Sequence, residues 1–578
     1  MRYALSYFFG DVMNDKSKYL SSAFLLLISS VIVKIIGAVY KIPLTAFIGA
    51  VGRGYFASAY NLYLPLHAVI MGAFPVAISK LTGKYNALED TETLSALKKG
   101  SNRLMVKVGL VGMAVMLIIA KPYCDFIAAS LQSLYTVLVL APCVLFSAMA
   151  ASYRGFYEGF MNMRPTAVSQ TLEALFKMVF GLVFARLTMA YLIAVYDNSG
   201  AVLGAVVHTK QQALSVIYPI TSAAAMVGVT FGSVVSLVYV FIYDRINRGT
   251  IPRCGRVPSK SAQRELLLFS FPIMMSVAIQ SVFQFLDTAT VQYALGTVDP
   301  SVLVSEYSES IRIAGAQQDD TVTYVYGLMS SAVDFKNLIP GITMALGVCA
   351  VPAVSAAYES RNSERLSALI NDIYKYTVLL SVLGGVFLAV SSREVLDIFY
   401  SKSSPDIPIG CEKLVAAFSL TVPVYCLAGS AVFCVQAIGK AQKSIAPYIV
   451  SGAFRSFFNF LLVKDEKYLL YGAVISGAIG YSIMAIWNIF IVKSCTKTKL
   501  SLKNVFIKPT IIALILYFVI EKTAHFVKIG DNLIINLLIK SVFFIGIFCM
   551  LCFLFKTLNF KEIFVTLKSK KNARNTCN

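Results

Sequence analysis

Charge is what this sequence has little of. Asp, Glu, Lys and Arg make up 14% of its 578 residues, where a soluble globular chain carries about 25%. Hydrophobic residues make up 57%, and mean hydropathy is +0.71. That balance excludes an ordinary soluble protein, and no stretch reads as a separate soluble domain. Histidine is almost absent: His67, His208 and His525 lie far apart and make no metal-ligand spacing. No G-x-x-x-x-G-K-[ST] run occurs, so no ATPase is built into the chain. The eleven cysteines are scattered, mostly within apolar runs. The one C-x-x-C, Cys549 to Cys552, has no second pair and reads as helix packing rather than metal or redox chemistry. We therefore expect no catalytic residues and no metal.

What is present is a series of hydrophobic runs of about 20 residues, the length an α-helix needs to cross a bilayer core of roughly 30 Å. The first runs from Leu20, is interrupted by Lys34 and continues to Ala50. It is too long for a secretory signal and reads as a retained span. Fourteen spans are expected, near 20–50, 55–81, 103–121, 131–152, 165–187, 212–243, 265–294, 323–354, 369–390, 413–437, 446–463, 468–492, 509–527 and 533–555. With the N-terminus inside, the inside segments hold 32 of the 51 Lys and Arg, the outside loops 12 and the spans seven. This asymmetry predicts that both termini are cytoplasmic. It also gives the net charge of +21 a topological origin, so no nucleic-acid partner is expected. The predicted class is all-α integral membrane: an N-lobe at 1–250 (helices one to six), a C-lobe at 251–500 (helices seven to twelve), and two further helices with a basic tail at 501–578. Parallel repeats of this kind place a substrate path between the halves.

The densest polar chemistry near any span runs from Tyr153 to Lys177. Arg154 and Glu158 stand four residues apart, as do Glu173 and Lys177, so each pair could meet on one helix face. Pro165 stands where a new helix would begin. Within the spans, Lys34, Lys41, Lys107, Lys177, Lys336, Arg455 and Lys540 carry charge that costs on the order of 2.5–3.5 kcal/mol at the bilayer centre. Lys107 and Lys540 lie near span ends and are discounted as snorkelling side chains. Lys34 and Lys41 are seven residues apart and share one helix face. Taken singly, each cation is explained equally well by a structural pair. As a set, Lys34, Lys41, Lys177, Lys336 and Arg455 predict an anion-binding cavity assembled from both halves. Arg53, Arg154, Glu158, Glu173, Asp287 and Asp334 are the expected gating or charge partners. Asp287 either neutralises a buried cation or takes part in ion coupling. Excess positive charge suits a phosphate-bearing substrate. Gly37, Pro43, Gly49, Gly52 and Gly54 are expected to break the first span and its turn, and Pro340, Gly341, Gly347 and Pro352 the eighth.

The stretch Y-R-G-F-Y-E-G-F-M-N-M-R-P-T-A-V-S-Q-T-L-E from Tyr153 resembles the signature of the polysaccharide-biosynthesis and stage V sporulation protein B family. That family lies within the superfamily of multidrug, oligosaccharidyl-lipid and polysaccharide (MOP) exporters. V-K-I-I-G-A-V-Y-K-I-P-L in the first span and A-L-G-V-C-A-V-P-A-V-S after Lys336 fit as well, and fourteen spans look like the lipid II flippase branch. The resemblance implies a multi-pass protein of the bacterial cytoplasmic membrane. It would flip an undecaprenyl-pyrophosphate-linked saccharide by alternating access, for peptidoglycan, another surface polysaccharide or the spore cortex. By position, Lys34 and Lys41 match the basic cavity residues of that branch. Lys177 departs from the pattern, standing where Arg is expected, and Lys has no bidentate fork. Membrane lipids and a cell-wall polymerase are the implied partners. No cofactor is implied; a Na+ or H+ gradient or the membrane potential would supply any coupling. Two rivals are a cation-coupled multidrug antiporter, which would want a carboxylate-lined cavity, and a membrane-embedded polymerase or ligase, which would want a large catalytic loop.

Overall fold

The computed structural model describes residues 15–247, 259–523 and 532–557. Apart from a two-residue hairpin pairing Ala201–Val202 with Ala205–Val206, its regular structure is helical. The first helix, α1, runs from Asp15 to Ala87. With its kink at Gly49 the element comprises two helical arms, residues 15–48 and 50–87, about 51 and 57 Å long at 1.5 Å per residue. It contains both of the first two expected spans. They join at Gly49, whose φ of 66° and ψ of −178° leave the helical region in a conformation that side chains disfavour. Gly37, Pro43, Gly52 and Gly54 stay within helical geometry, so of the expected breaks in this span Gly49 alone departs.

Five more long helices follow: α2 (Thr91–Phe126), α3 (Leu134–Gly159), α4 (Arg164–Ser199), α5 (Lys210–Ile246) and α6 (Ser259–Gly296). Local chemistry sets their ends. Asp90 accepts a hydrogen bond from the Thr93 N–H at 2.9 Å and caps α2, and Thr209 caps α5 through Gln212. Pro165 sits in the first turn of α4, as expected, and Gly200 ends that helix with φ 64°. After α6, which bends by 42° between Phe271 and Ile273, come α7 (Pro300–Glu306), α8 (Ser308–Ala314), α9 (Thr321–Lys336), α10 (Leu338–Glu359), α11 (Ser363–Val390), α12 (Ser392–Tyr400), α13 (Asp406–Ala437), α14 (Ile445–Lys464), α15 (Leu470–Thr496), α16 (Lys508–Thr523) and α17 (Leu533–Leu554).

Among the described residues, ten helices are long and apolar enough to cross a membrane, or eleven with the bent α6. The difference from fourteen arises at three places. The first two expected spans follow each other directly within α1, divided by the kink at Gly49 and by no loop. The eighth is divided between α9 and α10 at Asn337. The thirteenth is represented by α16 up to Thr523, and the rest of that expected span lies outside the described residues.

The helices gather into two compact units. The first contains residues up to Asp334 with 399–411 and 448–476; its boundaries differ from the expected lobes at 1–250 and 251–500. In it α4 and α5 pack along each other, α3 packs against α1, α2 and α5, and α6 packs against α1 and α2. Tyr40, Phe56, Tyr123 and Phe156 are buried at its centre. Gly54 of α1 faces the Thr323 carbonyl of α9, and Gly327 faces that of Ala50; neither position has room for a Cβ. The second unit holds 335–398, 412–447 and residues from 477 onward, with α10 on α11 and α11 against α16 and α17. Here Lys540 corrects the expectation of a snorkelling end. It is buried on α17, bonded to Glu394 of α12 at 2.7 Å and to the Val390 carbonyl at 3.3 Å. Burying the ammonium against a carboxylate removes the need to reach water.

Candidate functional site

The first unit brings three of the intramembrane cations into one neighbourhood. Lys41 and Arg53 flank the break at Gly49 on α1, and both reach the same carboxylate, Asp334 of α9. Lys41 Nζ lies 2.6 Å from Asp334 Oδ1, and Arg53 donates to Oδ2. Asp334 thus ties together the two arms of α1. Arg53 is 3% exposed, whereas the Lys41 side chain is 39% exposed, so one cation is locked and the other remains accessible. Lys177 of α4 lies over the rings of Tyr60 at 4.7 Å and Tyr40 at 5.5 Å. Among the described residues it forms no ion pair, and it stands close enough to Lys41, Arg53 and Glu173 to feel their charge. Aromatic faces hold an ammonium without neutralising it. Lys41, Arg53 and Lys177 against Asp334 leave this neighbourhood positive. The backbone of Lys34 lies in α1, but its side chain is outside the described residues.

Arg154 and Glu173 form the second cluster. Arg154, 3% exposed on α3, donates to Glu173 Oε2 at 2.7 Å, to Ser169 Oγ at 2.9 Å and to Ser236 Oγ at 2.5 Å. One guanidinium therefore joins α3, α4 and α5. The expected pairs four residues apart give way to this arrangement. Glu158 accepts from the Thr166 hydroxyl at 2.8 Å, and Glu173 takes Arg154 in place of Lys177. A fork with five donors satisfies acceptors on several helices, which a pair along one helix face cannot do.

Asp287 of α6 meets Arg455 of α14 at 3.3 Å. Asn459, one turn further along α14, donates to Asp287 Oδ1 at 2.9 Å and to its carbonyl at 3.0 Å, and accepts from Ser476. Arg455 is thus the cation that Asp287 meets. Asn459 escaped the sequence reading because an uncharged amide in an apolar helix carries little signal. Tyr326 of α9 was missed likewise: it accepts from Asn61 of α1 and lies within electrostatic reach of Arg53 and Asp287.

Lys336, at the end of α9, lies in the second unit. It is buried among the rings of Phe418, Tyr425 and Tyr481, at 5.1, 5.2 and 5.8 Å. Of the expected cationic set, Lys41 and Lys177 are thus brought together, with Arg53 joining them. Arg455 is engaged by Asp287, and Lys336 sits in its own aromatic cage.

Residues 19–209 match the family described as polysaccharide biosynthesis protein. The lipid II flippase MurJ of Bacillus subtilis (strain 168) is 24% identical over 497 residues, covering 82% of this chain and 83% of the relative. Stage V sporulation protein B of the same strain is 21% identical over 527 residues, covering 90% and 92%. Two solved structures share the fold. A lipid II flippase MurJ in an inward closed conformation aligns with TM-score 0.61 and 16% identity, over 93% of this chain and 98% of that one. An inward-facing multidrug resistance transporter of the MATE family and MOP superfamily aligns with TM-score 0.56 and 16% identity, over 81% and 99%. At such identity the likeness is one of fold.

Proposed function

We propose that this chain, similar over most of its length to lipid II flippase MurJ and stage V sporulation protein B and sharing the fold of solved MOP-superfamily transporters, flips an undecaprenyl-pyrophosphate-linked saccharide across the cytoplasmic membrane. The homology supports a multi-span MOP-superfamily transporter or flippase for lipid-linked saccharides. The finer reading is carried by one observation, the positive neighbourhood of Lys41, Arg53 and Lys177 with Asp334 as its bonded acid. A pyrophosphate offers several charged oxygens to such a group, and charge-assisted hydrogen bonds to them are among the stronger kind. Lys41 and Lys177 take the substrate-contacting role. Arg53 and Asp334 hold the arms of α1 in register, and Arg154 with Glu173 braces α3, α4 and α5. Transport proceeds by alternating access, both termini face the cytoplasm, and a Na+ or H+ gradient or the membrane potential supplies any coupling.

The test is binding to the detergent-purified protein by native mass spectrometry, with an undecaprenyl-pyrophosphate saccharide in competition with a cationic acridine dye. We expect the pyrophosphate lipid to be retained and Lys177→Ala to weaken it by at least about tenfold, the scale of a lost hydrogen bond to a charged group. Lys177→Arg should bind at least as well as the parent. Dye retention that survives Lys177→Ala and Lys41→Ala but is lost in Asp287→Asn would overturn this reading in favour of an antiporter.

A further inference from the structure

A second polar site lies in the second unit, apart from the cations considered so far. A cavity of about 140 Å³ is lined by Asn371, Asp372 and Lys375 of α11, by Ser501, Asn504 and Val505 before α16, and by Lys556 and Thr557 after α17. A single water needs roughly 10–15 Å³ measured in this way, so the cavity has room for a much larger polar group. Its walls are held in place. The Asn371 side chain donates to the Ser367 carbonyl at 2.7 Å and to the Lys499 carbonyl at 2.8 Å, and accepts from the Ser501 N–H at 2.8 Å. The segment before α16 is thereby fixed to α11. Residues 503–507 form a π-helical turn, a geometry frequent at functional sites. Thr557 Oγ1 bonds the Cys552 carbonyl at 3.0 Å and closes the wall from α17.

The charge around this cavity is strongly of one sign. Residues 493–508 contain Lys493, Lys497, Lys499, Lys503 and Lys508 and no acid, and Lys556 opens a basic C-terminal segment. The one lining acid, Asp372, is engaged by Lys375 at 2.9 Å. Lys556, the other lining lysine, forms no ion pair among the described residues, and Lys375 keeps two further N–H donors, so both can act on whatever enters. The charge asymmetry along the sequence assigns all three segments to the cytoplasmic side, where anionic lipid headgroups concentrate and basic pockets between helix ends take them up.

We propose that this cavity binds the phosphoryl group of an anionic ligand, drawn from an acidic phospholipid headgroup or from free phosphate, between Lys556, Lys375 and the side-chain amide of Asn504, with Asn371 holding the wall. Bound there, such a group ties the ends of α11 and α17 to the segment leading into α16, independently of the flippase reading. The experiment is native mass spectrometry of the full chain in detergent with three separate probes: phosphatidylglycerol, phosphatidylcholine and inorganic phosphate. We expect a phosphatidylglycerol adduct and little phosphatidylcholine, with retention falling on the order of tenfold in Lys375→Gln/Lys556→Gln. An inorganic phosphate adduct lost in the same variant, without lipid discrimination, would support the site and assign it to free phosphate. Lys464→Gln/Lys467→Gln removes equal charge outside the cavity lining and should leave retention unchanged. Equal binding of the two lipids without a phosphate adduct, no adduct at all, or equal losses in the two double variants would overturn the proposal.

Discussion

The Arg154 guanidinium bonds Glu173, 19 residues away on the next helix, at 2.7 Å, while Glu158, one turn along its own helix, accepts from Thr166. The contact that braces α3, α4 and α5 is thus tertiary, and it costs most when broken from one side.

Arg154→Leu leaves the Glu173 carboxylate without its cation and Ser169 and Ser236 without a donor. Losing one member of a buried pair costs about 3–5 kcal/mol. Replacing both partners with apolar residues should recover much of that loss, because no charge stays unpaired. Thermal unfolding of Arg154→Leu and Arg154→Leu/Glu173→Leu in detergent checks this; a double variant less stable than the single one would refute it.

Arg53 and Lys41 share Asp334 but differ in exposure, 3% against 39% for the side chains. Arg53→Leu should therefore cost about 3 kcal/mol, and Lys41→Ala no more than about 1 kcal/mol. Equal shifts in unfolding temperature would mean that Asp334 does not distinguish its partners.

Asn459 donates twice to Asp287, so Asn459→Ala should lower stability by about 1–3 kcal/mol. Asn459→Asp should cost more, because it sets a second carboxylate against the first. Denaturant midpoints of the two variants give the order.

Asp320 lies in the short turn before α9 and accepts from the Tyr55 hydroxyl at 2.7 Å. Burial raises its carboxyl above the ordinary value of 3.8, with Asp319 adding to the effect. The folded state thus holds this proton more tightly than the unfolded chain does. The group's stabilisation is present in full below pH 3.8 and is lost as pH rises through the folded value. Asp320→Asn should flatten that part of the stability profile, measured by unfolding temperature from about pH 3 to pH 7. A slope unchanged by the substitution would assign it to another group.

The membrane class, the periodic spans, the start of α4 at Pro165 and the resemblance to polysaccharide-biosynthesis proteins were all legible in the sequence. Each depends on quantities that lie along the chain: run length, composition and local spacing. The identity of the cations was legible too, because charge inside an apolar run is conspicuous by itself. Which acid meets which cation was not. Lys41 and Arg53 reach Asp334 across 293 and 281 residues, and Asn459 reaches Asp287 across 172. Lys540, near a span end by position, is buried on Glu394 where α17 packs against the end of α11. Hydrophobic run length dictates where a helix can cross, since it is counted residue by residue against the thickness of the bilayer. Pairing of buried charges depends on which helix faces come together, and tertiary packing alone decides that.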